Sequence, residues 1–346
     1  MKPTPKPAAA NAVDPLNALV APPPPDAQRR RLLTMAGAGV LGATLSACGG
    51  GGGGGGGGGE PAAPAAPTPP AAPTPPPAPT PPAPPPATST VKRGLAYDLK
   101  DAADFSALSG GTVGWWVNWA LKPNAAVLAQ PAIAGAMDHV PMLWNFDFDT
   151  AEVVAYLKSR PAVKSLLVLN EPNLTDQANK TPAEAAAQWP RYEEVARQTG
   201  VKLVGPAITW GTMAGYADPV VWMDAFIAAY RNANGGRDPQ IDAIAFHWYD
   251  YGLADQLKRL EKYGKPFWIT EMANWHVGDG SAQIDSAAKQ KAQMADMVKT
   301  CETRADVLRY AWFTGRWSPD PHFTSLFGAA GTLTEVGQQY KALPTS

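Results

Sequence analysis

From residue 91 onward, short apolar runs alternate with stretches whose apolar positions recur at three- and four-residue spacing. Continuous apolar runs bounded by Gly or Pro read as strands buried on both faces, as in parallel sheets covered by helices. Eight such runs predict strands over 94–97, 112–119, 140–144, 165–171, 202–206, 243–249, 266–271 and 308–313. Between them, the 3.6-residue pattern predicts helices over 150–159, 182–199, 220–232, 253–263 and 285–303. Thr181-Pro182-Ala183-Glu184 is a helix start with a cap, a first-turn proline and a glutamate three residues on. Gly200 and Gly264 stand where helices should stop. The first two junctions carry weaker signals: 101–108 is short, and 124–137 is Ala-rich and interrupted by Pro131. Eight strands alternating with helices over about 250 residues form the pattern of a (β/α)8 barrel. An open doubly wound sheet is the competing arrangement, and no Gly-x-Gly-x-x-Gly turn opens a first helix to favour it. The expected fold class is therefore α/β, a single (β/α)8 TIM barrel occupying 91–346.

The preceding ninety residues follow neither pattern. Arg29-Arg30-Arg31 lead into an apolar stretch at 32–47 that is too short for a comfortable membrane span, the order of an export signal. That stretch ends in Leu45-Ser46-Ala47-Cys48, which resembles a bacterial lipobox, and the arginines followed by two leucines resemble a twin-arginine signal. The resemblance implies lipid attachment at Cys48 and a membrane as partner through that anchor. The implied location is an exported lipoprotein at the cell surface or in the periplasm. Gly49 stands where an aspartate commonly signals inner-membrane retention, which favours the outer membrane. Eleven glycines, Gly49–Gly59, and a Pro/Ala/Thr tract to Thr90 then make a linker (49–90) expected to be disordered, since neither composition can bury a core. Thirty residues of polyproline geometry, at about 3.1 Å each, reach roughly 90 Å.

Composition narrows the function classes. Residues 91–346 hold 24 basic and 27 acidic side chains, so no electrostatic case exists for a nucleic-acid partner. Their only cysteine is Cys301, so no disulfide supports the fold, and a buried structural role is expected. The four histidines, at 139, 247, 276 and 322, have no metal-ligand spacing, and no metal or cofactor is expected. The domain is expected to act as a monomer.

Two strands end in glutamate. One closes the run Ser165-Leu166-Leu167-Val168-Leu169-Asn170-Glu171, and the other closes Phe267-Trp268-Ile269-Thr270-Glu271. A carboxylate at the end of a buried strand is costly unless the position does chemistry. Barrel function collects at the carboxyl ends of strands. Alternation puts Leu167, Leu169 and Glu171 on one face, and likewise Phe267, Ile269 and Glu271. Two carboxyl groups converging on one sugar are the requirement of glycosidic hydrolysis, one to donate a proton and one to attack. Asn170 is placed to hydrogen-bond a sugar 2-hydroxyl.

The chain resembles the clan A glycoside hydrolases, whose fourth strand ends in Asn-Glu and whose seventh ends in Glu. Its ordered pieces are similar to glycoside hydrolase family 128, the endo-β-1,3-glucanase type. They are Arg93-Gly94-Leu95-Ala96-Tyr97, Trp115-Trp116-Val117-Asn118-Trp119, Leu169-Asn170-Glu171-Pro172-Asn173, Val204-Gly205-Pro206-Ala207, Phe246-His247-Trp248-Tyr249 and Trp268-Ile269-Thr270-Glu271. The resemblance implies Glu171 as acid/base, Glu271 as nucleophile, retention of anomeric configuration and a β-1,3-glucan substrate. Glu171 must then be protonated before leaving-group departure, so its pKa should sit high. Tyr249, ahead of His247, is expected to orient Glu271. Sugar faces stack on indole, so Trp119, Trp144, Trp210, Trp248, Trp275, Trp312 and Trp317 are candidate substrate contacts, with Asn118, Asn145 and Asn274 as polar partners. Trp189 and Trp222 sit in helical patterns and are expected to be core. Two alternatives stay open: a clan A glycosidase acting on mannan, xylan or β-1,4-glucan, or an inactive glycan-binding lipoprotein.

Overall fold

The computed structural model describes residues 91–130, 135–278 and 280–345. The export segment with Cys48 and the linker lie outside the described residues. Among the described residues nine parallel strands form one sheet: β1 (Arg93–Ala96), β2 (Trp115–Val117), β3 (Asp138–His139), β4 (Met142–Leu143), β5 (Ser165–Val168), β6 (Lys202–Ile208), β7 (Ala243–Trp248), β8 (Phe267–Met272) and β9 (Val307–Trp312). Their order is β3-β2-β1-β9-β8-β7-β6-β5-β4. The outermost strands of that row, β3 and β4, are separated only by Val140 and Pro141. The predicted strand, 140–144, contains β4 but not β3, and the chain is interrupted between the two where Pro141 has no N–H to donate. The Val140 N–H reaches Trp116 O at 2.9 Å on one side, and Pro141 O accepts from the Leu167 N–H at 2.9 Å on the other. The ends of the row thus meet in one piece of chain, consistent with a (β/α)8 barrel.

Eight α-helices accompany the strands among the described residues: α1 (Ala102–Leu108), α2 (Ala125–Leu128), α3 (Thr150–Lys158), α4 (Pro182–Thr199), α5 (Pro219–Ala233), α6 (Leu253–Leu260), α7 (Ala287–Thr303) and α8 (Glu335–Ala342). The predicted start at Thr181 is a full capping box, and Gly200 ends α4 at φ 77°. Gly264, at φ 60°, ends the 3-10 turn that extends α6. Helix α4 buries Ala185, Ala186, Trp189, Tyr192, Val195 and Ala196, one apolar stripe at helical spacing. Trp189 and Trp222 are fully buried in that layer. Among the described residues of the weak helical signal at 124–137, α2 is the helix, and α8 lies beyond the helices that periodicity predicts. Cys301 is buried and free, its sulfur 3.9 Å from that of Met272.

Two irregularities shape the mouth. In β6 the pairing with β7 slips between Val204 and Ala207, at Gly205-Pro206. Gly205 has φ 154°, and a Cβ there would lie 2.3 Å from Val168 O. The slip puts Ala207 beside the end of β5, where its N–H donates to Leu169 O at 2.9 Å and its carbonyl accepts from Glu171 N–H at 2.8 Å. Gly205→Ala is therefore expected to destabilise by about 2–4 kcal/mol, through backbone overlap and a conformation that alanine resists. Denaturant unfolding reads this directly, and an unchanged midpoint would contradict it.

The second slip lies in β8. Phe246 pairs with Ile269 but His247 pairs with Glu271, so β8 carries one extra residue there, and its register with β9 slips between Ile269 and Met272. Bulges of this kind re-aim side chains beside active sites.

Candidate active site

At the end of β5 the backbone twice enters the left-handed region, with φ 59° at Leu169 and 42° at Glu171. Strand alternation therefore stops at Val168, and the shared face predicted for Leu167, Leu169 and Glu171 does not form. Such conformations cost about 1–3 kcal/mol each and persist only where neighbours fix them. Here Leu169 N–H donates to Leu143 O at 2.9 Å and Asn170 N–H to Trp144 O at 2.8 Å. Asn173, fully buried, fastens the following loop by donating to Thr209 O at 2.6 Å. Trp119, beyond β2, is also left-handed at φ 58°.

The bulge in β8 explains how two consecutive residues both reach the site, where a regular strand would point them to opposite faces. Thr270 Oγ1 meets His247 Nε2 at 2.9 Å, while a Glu271 carboxylate oxygen lies 3.5 Å from His247 Nδ1. His247 Nδ1 is closer to Glu171, at 2.9 Å from Oε1. Tyr249 O–H donates to Glu271 Oε2, and the Trp119 indole N–H donates to Glu271 Oε1 at 2.7 Å. Glu171 and His247 are 0% exposed and Glu271 is 1% exposed. At such burial a carboxylate is tolerable only with donors of this kind.

One oxygen from each glutamate and a ring nitrogen of His247 lie within 4.8 Å of one another. Three such donors could hold a cation, but a metal takes a histidine nitrogen through its lone pair. His247 has both nitrogens engaged, one with Glu171 and one with Thr270. In the Nδ1–H tautomer its lone pair faces the Thr270 hydroxyl, and in the Nε2–H tautomer it faces Glu171, where a protonated carboxyl donates to it. The arrangement fits a hydrogen-bonded carboxylate pair better than a metal centre. No spacing motif could reveal it, because positions 171, 247 and 271 come from three strands.

The remaining candidates divide. Asn170 is fully buried beside Glu171, and its side-chain amide meets no protein partner. Asn118 is built into the wall: its amide donates to Lys122 O at 3.0 Å, and its Oδ1 meets His139 Nε2 at 2.8 Å. Asn145 closes a local turn onto Asp147, and Asn274 is fully buried, its Oδ1 accepting from His276 N–H. Trp144 and Trp210 are half-buried; Trp210 donates to Gln256 at 3.0 Å and carries the Arg259 guanidinium over its ring at 5.0 Å. Trp275 and Trp317 are 7% and 8% exposed and pack edge to face at 5.4 Å. Trp248 and Trp312 are core and correct the expectation. Trp248 stacks on Phe246 and Trp312 is sealed under Tyr340, so a sugar has no face of either to lie on. Trp119 acts first as a hydrogen-bond donor to Glu271, a role that a stacking argument does not foresee. Thr270 is the partner that sequence reasoning missed, because only the bulge turns it toward His247.

The profile of the family described as "Glycosyl hydrolase catalytic core" matches residues 94–340. A solved endo-β-1,3-glucanase of glycoside hydrolase family 128, subgroup II, from Pseudomonas viridiflava is 59% identical. Its alignment covers 74% of this chain and 99% of that one, with a TM-score of 0.72. A subgroup I endo-β-1,3-glucanase from Amycolatopsis mediterranei, solved with laminaritriose, is 26% identical, covering 73% of this chain and 99% of that one at a TM-score of 0.56. Alkali-sensitive linkage protein 1 of Schizosaccharomyces pombe is 27% identical over 264 residues, which are 72% of this chain but only 44% of that relative. A profile matching residues 94–340 and a relative matched over nearly its full length agree: the chain belongs to the glycosyl hydrolase catalytic core family, as a glycoside hydrolase of family 128.

Proposed function

We propose that the barrel is a retaining endo-β-1,3-glucanase with Glu171 as acid/base and Glu271 as nucleophile. The observation that carries this reading is the approach of one oxygen from each carboxylate to within 4.8 Å at the ends of strands β5 and β8. Retaining enzymes hold their carboxyls at about 5–5.5 Å, whereas inverting ones leave about 6.5–9.5 Å for a water. Glu271 accepts two protein hydrogen bonds, from Tyr249 and Trp119, which favour the ionised form an attacking group needs. Glu171 faces His247, which can take or return its proton. In the first step a Glu271 oxygen bonds to the anomeric carbon as the glycosidic bond breaks, and the Glu171 proton goes to the departing oxygen. In the second, Glu171 removes a proton from water, whose oxygen displaces Glu271 and frees the sugar. Asn170 is poised for the 2-hydroxyl of the sugar being cleaved.

The β-1,3 specificity rests on the Pseudomonas and Amycolatopsis relatives, both endo-β-1,3-glucanases. The proposal includes the tether: a lipid at Cys48 and the 49–90 spacer would hold the enzyme at a membrane while it reaches a large glucan. Digestion of a panel comprising β-1,3-glucan, β-1,4-glucan, xylan and mannan tests the specificity. Short β-1,3-linked oligosaccharides of mixed length are expected from the first substrate alone. Products from another member would move the assignment within clan A, and binding without products would leave a glycan-binding protein.

A further inference from the structure

We propose that Gln290, on the outer helix α7, is a positioning residue that keeps Tyr249 aligned on Glu271 through the Trp275–His322 stack. The inference rests on the catalytic reading of Glu271 given above.

Gln290 is 0% exposed. A buried amide must place its hydrogen bonds, and Gln290 places none of its side-chain bonds on its own helix. Its Nε2 donates to Asn274 O and to His322 O, each at 2.7 Å, and its Oε1 accepts from Asn274 N–H at 3.3 Å. Asn274 belongs to the loop after β8 and His322 to the loop after β9, so one side chain joins the two loops. One turn on, Gln293 Oε1 accepts from the Asn274 amide at 3.2 Å and steadies the same loop.

The joined loops carry the rings that fix Tyr249. Trp275 stacks on His322 with centroids 5.5 Å apart and planes at 17°. Trp275 also packs on the Tyr249 ring, with centroids 3.9 Å apart, and its backbone N–H donates to Tyr249 O at 2.8 Å. Phe313 closes the edge of Tyr249 at 5.8 Å and 83°. Tyr249 then donates its hydroxyl proton to Glu271 Oε2. Buried ring stacks transmit displacement because interiors are close-packed, and a shift of about 1 Å at a reacting group can cost a hundredfold in rate. Without Gln290, two backbone carbonyls lose their donor, the loops separate, and the Trp275 wall behind Tyr249 goes slack.

The test is a double-mutant cycle on kcat and KM for laminarihexaose, using Gln290→Ala, Tyr249→Phe and their combination in the full chain. Gln290→Ala should lower kcat about tenfold or more with KM changed less than about threefold, the signature of lost transition-state alignment. In the Tyr249→Phe background the same change should alter kcat by less than about twofold, since the link is already cut. Independent, multiplying losses would overturn the inference, as would a Gln290→Ala enzyme with full kcat. If Gln290→Ala does not fold, His322→Ala, which leaves α7 intact, enters the same cycle with the same expected outcomes. Wild type and Glu271→Gln are assayed alongside. A fully active Glu271→Gln enzyme defeats the catalytic reading, whereas an inactive one beside additive Gln290 effects defeats the positioning role alone.

Discussion

Replacing Glu271 by Gln should lower turnover of β-1,3-gluco-oligosaccharides on the order of 10⁴-fold or more, with no loss of fold. An amide has the same shape and keeps contact with Tyr249 and Trp119, but it has no anionic oxygen to bond to the anomeric carbon. Both catalytic steps lose their route together, so activated aryl glycosides should fail as completely as natural glucans. Glu171→Gln should behave differently. General acid catalysis contributes about 10²–10⁴-fold, and a leaving group that needs no proton dispenses with it. The Glu171 variant should therefore lose natural substrates while still releasing a nitrophenol from an aryl glycoside. The contrast assigns the two roles separately. Equal losses on both substrate types for both variants would contradict the assignment.

The second large effect is on stability. Arg93 opens β1 and is 0% exposed, at the end of the strands opposite Glu171 and Glu271. Its Nε donates to Tyr310 O–H at 2.7 Å, and Nη1 donates to Tyr340 O at 2.6 Å and Leu343 O at 2.9 Å. Nη2 donates to Pro344 O at 2.7 Å and to Glu302 Oε1 at 3.3 Å. Tyr310 O–H in turn donates to Glu302 Oε1 at 2.5 Å. One side chain thus holds β1, β9, the end of α7 and the chain after α8. Arg93→Met keeps the apolar stem but leaves the Glu302 carboxylate, 8% exposed, without its cation, and three carbonyls without a donor. Breaking a buried pair from one side costs about 3–5 kcal/mol. Arg93→Lys should restore only part of this, because a single ammonium cannot span acceptors fanned over four elements. Guanidinium unfolding of the three proteins checks the ranking, and a stability of Arg93→Met within about 0.5 kcal/mol of wild type would refute the lock.

Much of this architecture could be read from the chain because its signals are local. Apolar runs, the Thr181 capping box and the glycines at 200 and 264 act within a few residues of themselves. The placement of Glu171 and Glu271 was legible for the same reason, since each closes its own apolar run. The finer geometry could not be read, because it is set between strands. The slip at Gly205-Pro206 matters through Val168 and Ala207, and the extra residue in β8 matters through His247. The left-handed angles at Leu169 and Glu171 are likewise held by carbonyls on adjacent strands. The tryptophans make the same point. Trp312 and Trp119 both lie near strand ends, yet Tyr340 seals one and Glu271 recruits the other. Ring identity was visible; ring environment was not.

Covalent capture is the central claim, and trapping the captured sugar tests it most directly. A 2-deoxy-2-fluoro β-laminaribiosyl fluoride keeps a good leaving group while slowing the second step, so a retaining enzyme should accumulate the glycosyl ester. Peptide mass mapping after a brief incubation is expected to find one added fluorinated disaccharide on the fragment carrying Glu271, and none in Glu271→Gln. An adduct on Glu171, or an active wild-type enzyme that stays unlabelled, would contradict the account.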